Sequence, residues 1–278
     1  MRVTHFVHTT VLAIALLALT ALHAQCQGAS PQFAFVVFGE NRPELAANAQ
    51  PETYKRVLKD ADSCNPAFAI NTGNALFGSS NNNRFLEQYK DYAITNVSNL
   101  RARVYLTLGF YDILQNKSNE DFFANEVHGL YYSFDYGNAH FTVLDSDLIG
   151  EGCRITGKQL EWLKNDLAGS SRLLHKFVFV NRPLFPVGAR VGDSLDKYPK
   201  ERDLLHKLFV KNHVTAVFSG CEQLFDSKTK DGVRYVITGG AGSAVYPSKA
   251  GTGDFHHYVL VLINGKTLEM RLIKLPDG

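Results

Sequence analysis

Residues 33–38, Phe-Ala-Phe-Val-Val-Phe, form an unbroken apolar run closed by Gly39, the pattern of a strand buried on both faces and followed by a tight turn. From Pro51 to about Asp62 the residues Tyr54, Val57 and Leu58 recur at helical spacing and predict an amphipathic helix. The alternation repeats, with a strand over Pro66–Asn71 ending at Gly73, a helix over Arg84–Asn96, and a strand over Arg103–Leu108 ending at Gly109. Three strands that each stop at a glycine, separated by helices, imply βαβαβ units and a parallel sheet.

The second half is patterned differently. Tyr131–Tyr136 and His140–Leu144 flank Gly137-Asn138, a hairpin signal. Thr156 reads as the N-cap of a helix running through Leu160, Leu163 and Leu167 to Gly169. Further strands are expected over His175–Val180, Val214–Phe218, Val233–Thr238, His257–Ile263 and Thr267–Leu275, with a helix over about Glu201–Lys211. The fold class that accommodates these elements is α/β: two packed mixed β-sheets flanked by helices, a four-layer αββα sandwich.

With 278 residues, 45% of them hydrophobic, the chain supports one substantial domain, expected over residues 30–278. Lysines and arginines number 29 against 27 acidic residues without a basic block, so nucleic acid is not an expected partner. Residues 1–29 carry Arg2, an apolar run from Val11 to Leu22 and small residues near Ala24, the layout of a secretory signal peptide. The run is short for a membrane span, and no later segment offers one, so a secreted or periplasmic location is expected. Lipidation at Cys26 is the weaker alternative, because Gln25 precedes it where a small residue is wanted. Export would place Cys26, Cys64, Cys153 and Cys221 where disulfides form, in one of three full pairings among which the sequence does not choose. Asn96-Val97-Ser98 and Asn116-Lys117-Ser118 are glycosylation acceptors if the host is eukaryotic.

Candidate chemistry sits beyond the carboxyl ends of the predicted strands. Those ends read Gly39-Glu40-Asn41-Arg42, Gly73-Asn74-Ala75-Leu76-Phe77, Gly109-Phe110-Tyr111-Asp112, Val180-Asn181-Arg182-Pro183 and Gly220-Cys221-Glu222-Gln223. In this order and spacing they resemble the five signature turns of the calcineurin-like metallophosphoesterases, a superfamily that includes the purple acid phosphatases. Tyr131-Tyr132-Ser133-Phe134-Asp135-Tyr136-Gly137-Asn138, Gln159-Leu160-Glu161-Trp162-Leu163, Asn181-Arg182-Pro183-Leu184-Phe185 and Tyr235-Val236-Ile237-Thr238-Gly239-Gly240 resemble the purple-type branch. The resemblance implies phosphoric ester hydrolysis at a di-metal centre.

The ligand positions that the resemblance designates are substituted. Glu40 stands for the first Asp and Asn74 for the bridging Asp; Phe110 and Tyr111 stand for Asn and His; Asn181, Cys221 and Gln223 each stand for a His. Arg42 stands where many relatives have His, and Phe77 where purple-type members have a Tyr ligand. Two divalent cations about 3.5–4 Å apart need several anionic oxygens to offset their repulsion. Asn74 is neutral, Phe110 has no lone pair, and Glu40 is one methylene too long. Cys221 binds only as thiolate, against an ordinary pKa of about 8.5. The surviving Asp112 and Glu222 are expected to orient neighbours. No cofactor and no catalytic residue is therefore expected.

The leading expectation is a pseudo-phosphatase that acts by binding, with Arg42 and Arg182 as candidates for holding an anionic or phosphorylated ligand. The alternatives are a hydrolase with a weak single metal at Glu40 and Cys221, and a structural or protein-interaction module. A metal-free serine hydrolase lacks its Gly-x-Ser-x-Gly elbow, and Gly239–Gly242 follows a strand without a clear helix behind it, which leaves a nucleotide loop poorly supported.

Overall fold

In a computed structural model, residues 32–47 and 49–276 are described; the segment read as a signal peptide, with Cys26, lies outside them. Strand β1 (Gln32–Phe38) pairs in parallel with β2 (Phe68–Asn71), and β2 with β3 (Arg103–Leu106), the arrangement expected of the glycine-terminated runs. The helices between them are α1 (Glu52–Ser63) and α2 (Asn82–Asn99). After β3 come two short helices, α3 (Phe110–Ile113) and α4 (Lys117–Phe122), and a π-helical turn at Phe123–Val127.

The hairpin of β4 (Tyr132–Tyr136) and β5 (Ala139–Leu144) opens the second sheet. Helix α5 (Gly157–Gly169) leads to β6 (His175–Val180), and α6 (Pro199–Lys211) leads to β7 (Ala216–Ser219). Strands β5, β6, β7 and β9 (Val233–Thr238) run in parallel, with β8 (Phe225–Lys230) antiparallel to β9 at the edge. The chain then returns to the first sheet through β10 (His257–Asn264) and β11 (Thr267–Lys274), where β10 lies antiparallel to β1. Both sheets are mixed, as expected.

The period of two along β1 sorts its side chains between layers. Phe35 and Val37 face the second sheet and join Phe141, Phe177, Phe179 and Phe218 in the central core. Val36 and Phe38 face the other way, onto Tyr54, Val57 and Leu58 of α1 and Phe85 and Tyr92 of α2. On the far side Val178 and Val180 of β6 pack on Leu163 and Leu167 of α5 and on Leu205 and Phe209 of α6. Four layers result. The central layer is aromatic: Phe35 stacks on Phe68 at 5.4 Å and meets Phe141 edge-on at 5.2 Å, pairs each worth roughly 0.5–1.5 kcal/mol beyond the area they bury.

Three local expectations need correction or completion. Thr156 occupies the N-cap of α5 but makes no cap bond; its hydroxyl donates to Glu151 Oε2 at 2.5 Å. Asn96 is buried and accepts from the Tyr54 hydroxyl at 2.5 Å, so its carboxamide faces the interior and is no sugar acceptor in the folded chain; Asn116 instead caps α4 with its side chain. Cys64, Cys153 and Cys221 are free thiols, with no disulfide among the described residues. No described helix is long and apolar enough to cross a membrane.

Candidate functional site

Strands β1, β2, β3, β6 and β7 send the turns that follow them to one end of the sandwich, where side chains far apart in sequence meet. Glu40, Asn74 and Cys221 each follow the glycine just past the end of β1, β2 or β7, and their φ angles are 57°, 53° and 64°. This left-handed region is tolerated by Asn and unusual for Glu or Cys. Such strain persists only where the surroundings over-determine it, and it collects at functional sites. Gly109 is fixed by close approach: a Cβ there would lie 2.5 Å from Asn74 Oδ1 and 2.7 Å from Asn181 Cγ.

Glu40 is the hub. Only 1% exposed, it accepts at Oε1 from Asn74 Nδ2 (2.7 Å), the Cys221 backbone N–H (2.9 Å) and Asn181 Nδ2 (3.3 Å). Asn74 Oδ1 accepts the Tyr111 N–H at 3.0 Å, and Asn181 Nδ2 also donates to the Thr72 carbonyl at 2.8 Å. The two amides thus aim their nitrogens at Glu40, where a metal site would need oxygens. Burial pushes the Glu40 carboxyl up to about 7, and its three hydrogen bonds and the nearby Arg42 charge offset only part of that rise. Burial likewise pushes the Cys221 thiol well above its ordinary range, with the Glu40 charge adding to the effect.

The retained acids brace the turns. Asp112 accepts the N–H groups of Asn74 (2.8 Å), Ala75 (2.9 Å), Leu76 (2.9 Å) and Gly109 (2.9 Å). Burial raises its carboxyl to about 6 despite these four bonds. Glu222 gathers the N–H groups of Val187, Gly188 and Arg190 in the loop after β6. Both carboxylates hold backbone.

Above the hub lies a pocket of about 220 Å³, lined by Asn74, Phe110, Tyr111, Arg182, Arg190, Asp193 and Cys221. Phe110 is 37% exposed, so it walls this pocket instead of filling the core. Tyr111 lies edge-on to Phe110 and tilted against Phe77, and the Arg42 guanidinium sits 4.0 Å from the Tyr111 ring centre. Gln223 stands apart; its carbonyl accepts the Tyr246 N–H, and its side chain does not line the pocket.

The two arginines differ. Arg182 is buried, with Nε and one terminal nitrogen on Asp147 Oδ1 at 2.8 and 2.7 Å and another nitrogen on the Asp193 carbonyl at 2.6 Å, so its charge is already matched. Arg42 has no carboxylate partner among the described residues and rests on aromatic faces. Arg190, not singled out from the sequence, lines the pocket and reaches Asp193 only at 3.5 Å. Its place in the loop after the Asn181 turn is the signal that marks it.

These residues do not fit a di-metal centre. Glu40 is the only carboxylate at the substituted positions, one of its oxygens already takes three N–H donors, and no described cluster of His, Cys, Asp and Glu has metal-holding geometry.

No family model matches the chain. A curated relative, named probable inactive purple acid phosphatase 9 of Arabidopsis thaliana, is 34% identical over 100 residues, covering 34% of this chain and 14% of that protein. A purple acid phosphatase from yellow lupin (Lupinus luteus) seeds superposes with TM-score 0.66 at 17% identity, over 87% of this chain and 52% of that one. GAP50, described as the anchor in the inner membrane complex of Plasmodium, gives 0.65 at 12% identity over 89% and 86%. A dimetal phosphatase of Danio rerio gives 0.61 at 12% identity over 89% and 99%. The chain spans about half of the lupin enzyme and matches a small part of the Arabidopsis protein. Its fold is that of the calcineurin-like metallophosphoesterases, and its sequence likeness falls in the purple acid phosphatase branch.

Proposed function

We propose that this chain is an exported, catalytically degenerate member of that fold which acts by binding. One observation carries the reading: at the positions where the fold's enzymes hold metal, the Asn74 and Asn181 amides and the Cys221 backbone N–H all donate to Glu40 Oε1, and of these residues' side-chain atoms only Asn181 Oδ1 is left buried without a partner. A cation entering this net would have to break those bonds and compete for a carboxylate whose burial favours the neutral acid. Without metal, water keeps a pKa near 15.7 and stays a poor nucleophile. The single-metal alternative meets the same obstacle, because Cys221 would have to lose a proton that its burial retains.

The word "inactive" in the name of the Arabidopsis relative supports the reading. The pocket walled by Phe110, Tyr111 and Arg190, with Arg42 behind Tyr111, suits an anionic group presented beside an apolar one. Export rests on the layout of residues 1–29, and the buried Cys153 and Cys221 are compatible with an oxidising compartment as unpaired thiols.

The test is hydrolysis of a chromogenic phosphate monoester with manganese, zinc or iron added. The chain is expected to give no turnover above a Glu40→Ala control. Metal-dependent turnover well above that control would defeat the proposal.

A further inference from the structure

A second cavity, away from the degenerate turns, lies along the free edge of the first sheet. Of about 420 Å³, it is bounded by α2, by the β3 edge and by the segment after the π-helical turn. That volume falls within the range of small-molecule sites. Tyr89 and Tyr92 of α2 and Leu100, Val104 and Leu106 around β3 give it apolar walls, and Val97, 78% exposed, extends the apolar surface at its rim. The π-helical turn delivers Val127 and His128 to the same cavity; such turns are rare and occur frequently at functional sites.

The charged groups on the lining are of one sign. Arg101 and Arg103 both contribute, and no carboxylate lines the cavity. Arg101 is spoken for, its guanidinium held by Asp62 at 3.0 Å. Arg103 has no carboxylate partner among the described residues; it rests against the Tyr105 ring, 4.9 Å from its centre. His128 is kept below its ordinary pKa chiefly by burial, and the Arg103 charge adds to this. The imidazole is therefore neutral near pH 7 and does not compete with Arg103 for an anion. What the cavity lacks is one negative charge at its arginine end and an apolar body to cover its walls.

We infer that this cavity is a binding site for a small apolar monocarboxylate, with its hydrocarbon or ring between the α2 tyrosines and Leu106 and its carboxylate on Arg103. The site is independent of the proposed binding role of the turns. A charge-assisted bond to Arg103 is what separates the acid from its neutral analogue.

The test is titration calorimetry of the full chain with 3-phenylpropionate and with the matched alcohol, 3-phenylpropan-1-ol. The acid is expected to bind saturably and at least about tenfold more tightly than the alcohol. Arg103→Gln, at an exposed position, should bring the acid down to the level of the alcohol. Ala93→Phe, which fills the cavity from α2, should abolish both, and Arg84→Gln elsewhere on α2 should change neither. Equal affinity for acid and alcohol, full acid affinity in Arg103→Gln, or no saturation at millimolar probe would overturn the inference.

Discussion

Two carboxylates in this molecule, Glu40 buried and Asp166 half-buried, each gather three donors, and they end in opposite electrostatic states. Asp166 of α5 accepts from Ser133 Oγ (2.5 Å), Thr142 Oγ1 (2.8 Å) and His140 Nε2 (2.9 Å), and His140 reaches a second carboxylate, Asp135, at 2.6 Å. Burial would raise Asp166, but the bonds from His140, Ser133 and Thr142 and the His140 charge outweigh it, and its carboxyl is held below the ordinary range. Glu40 also accepts three hydrogen bonds, from two amides and a backbone N–H, and is pushed up to about 7. Three neutral donors do not replace the solvation lost on full burial, whereas a protonatable partner in a shallower site does. The end of the sandwich where the turns meet thus holds a carboxylate without a bonded cation, taken up instead by amide and backbone N–H groups.

The largest expected effect comes from rebuilding the donor set. Glu40→Asp, Asn74→Asp, Phe110→Asn, Tyr111→His, Asn181→His, Cys221→His and Gln223→His, made together, should take the chain from no stoichiometric metal to two bound divalent ions. Elemental analysis of the folded variant checks this. A folded variant that stayed free of metal would show that the turns are wrongly matched to the ligand positions.

Next in size is Glu40→Gln. Between the ordinary glutamate range and about 7, folded Glu40 keeps a proton that the unfolded chain has released. Stability therefore falls as pH rises through that window, by on the order of 3 kcal/mol once the window is passed. Glutamine still accepts from Asn74, Asn181 and Cys221 but does not titrate. The variant should be more stable than the parent in urea at about pH 8 and nearly equal to it at about pH 4. Equal stability at both would place a compensating cation beside Glu40.

The contrasting cluster gives a smaller effect. Burial pulls the His140 pKa down, but Asp166 and Asp135 outweigh it and leave it raised. Its stabilisation is thus complete below the ordinary imidazole range and is lost as pH rises through the folded value. His140→Gln should cost about 2 kcal/mol in mildly acidic urea melts, with the gap narrowing in alkaline ones. A gap independent of pH would make the cluster a neutral hydrogen-bond net. The smallest change is expected for Arg42→Met, which removes the contact with Tyr111 at a cost of about 1 kcal/mol and should raise Glu40 further.

The sheet strands and long helices were legible because each buries a face whose period shows in the chain. Pro51–Asp62 appears as Glu52–Ser63, and His175–Val180 and Val233–Thr238 appear unchanged. Strand β8 was missed because Phe-Asp-Ser-Lys-Thr-Lys is a polar edge strand with little to bury. The π-helical turn has no periodicity long enough to read. At the turns, the sequence located the residues but not their bonds. Glu40 meets Asn181 and Cys221 across 141 and 181 residues, and the Asp147 that occupies Arg182 lies 35 residues before it. Spacing within a motif carries no record of such pairings, so Arg182 looked available for an anion.

Metal content of the purified, unmutated full chain, measured by elemental analysis after equilibration with manganese, zinc and iron and removal of excess, bears on the whole reading at once. A value far below one equivalent is expected from a hub whose amide nitrogens are turned onto its single carboxylate. Two equivalents per chain, lost on Glu40→Ala, would mean that the amide net opens to admit a di-metal centre.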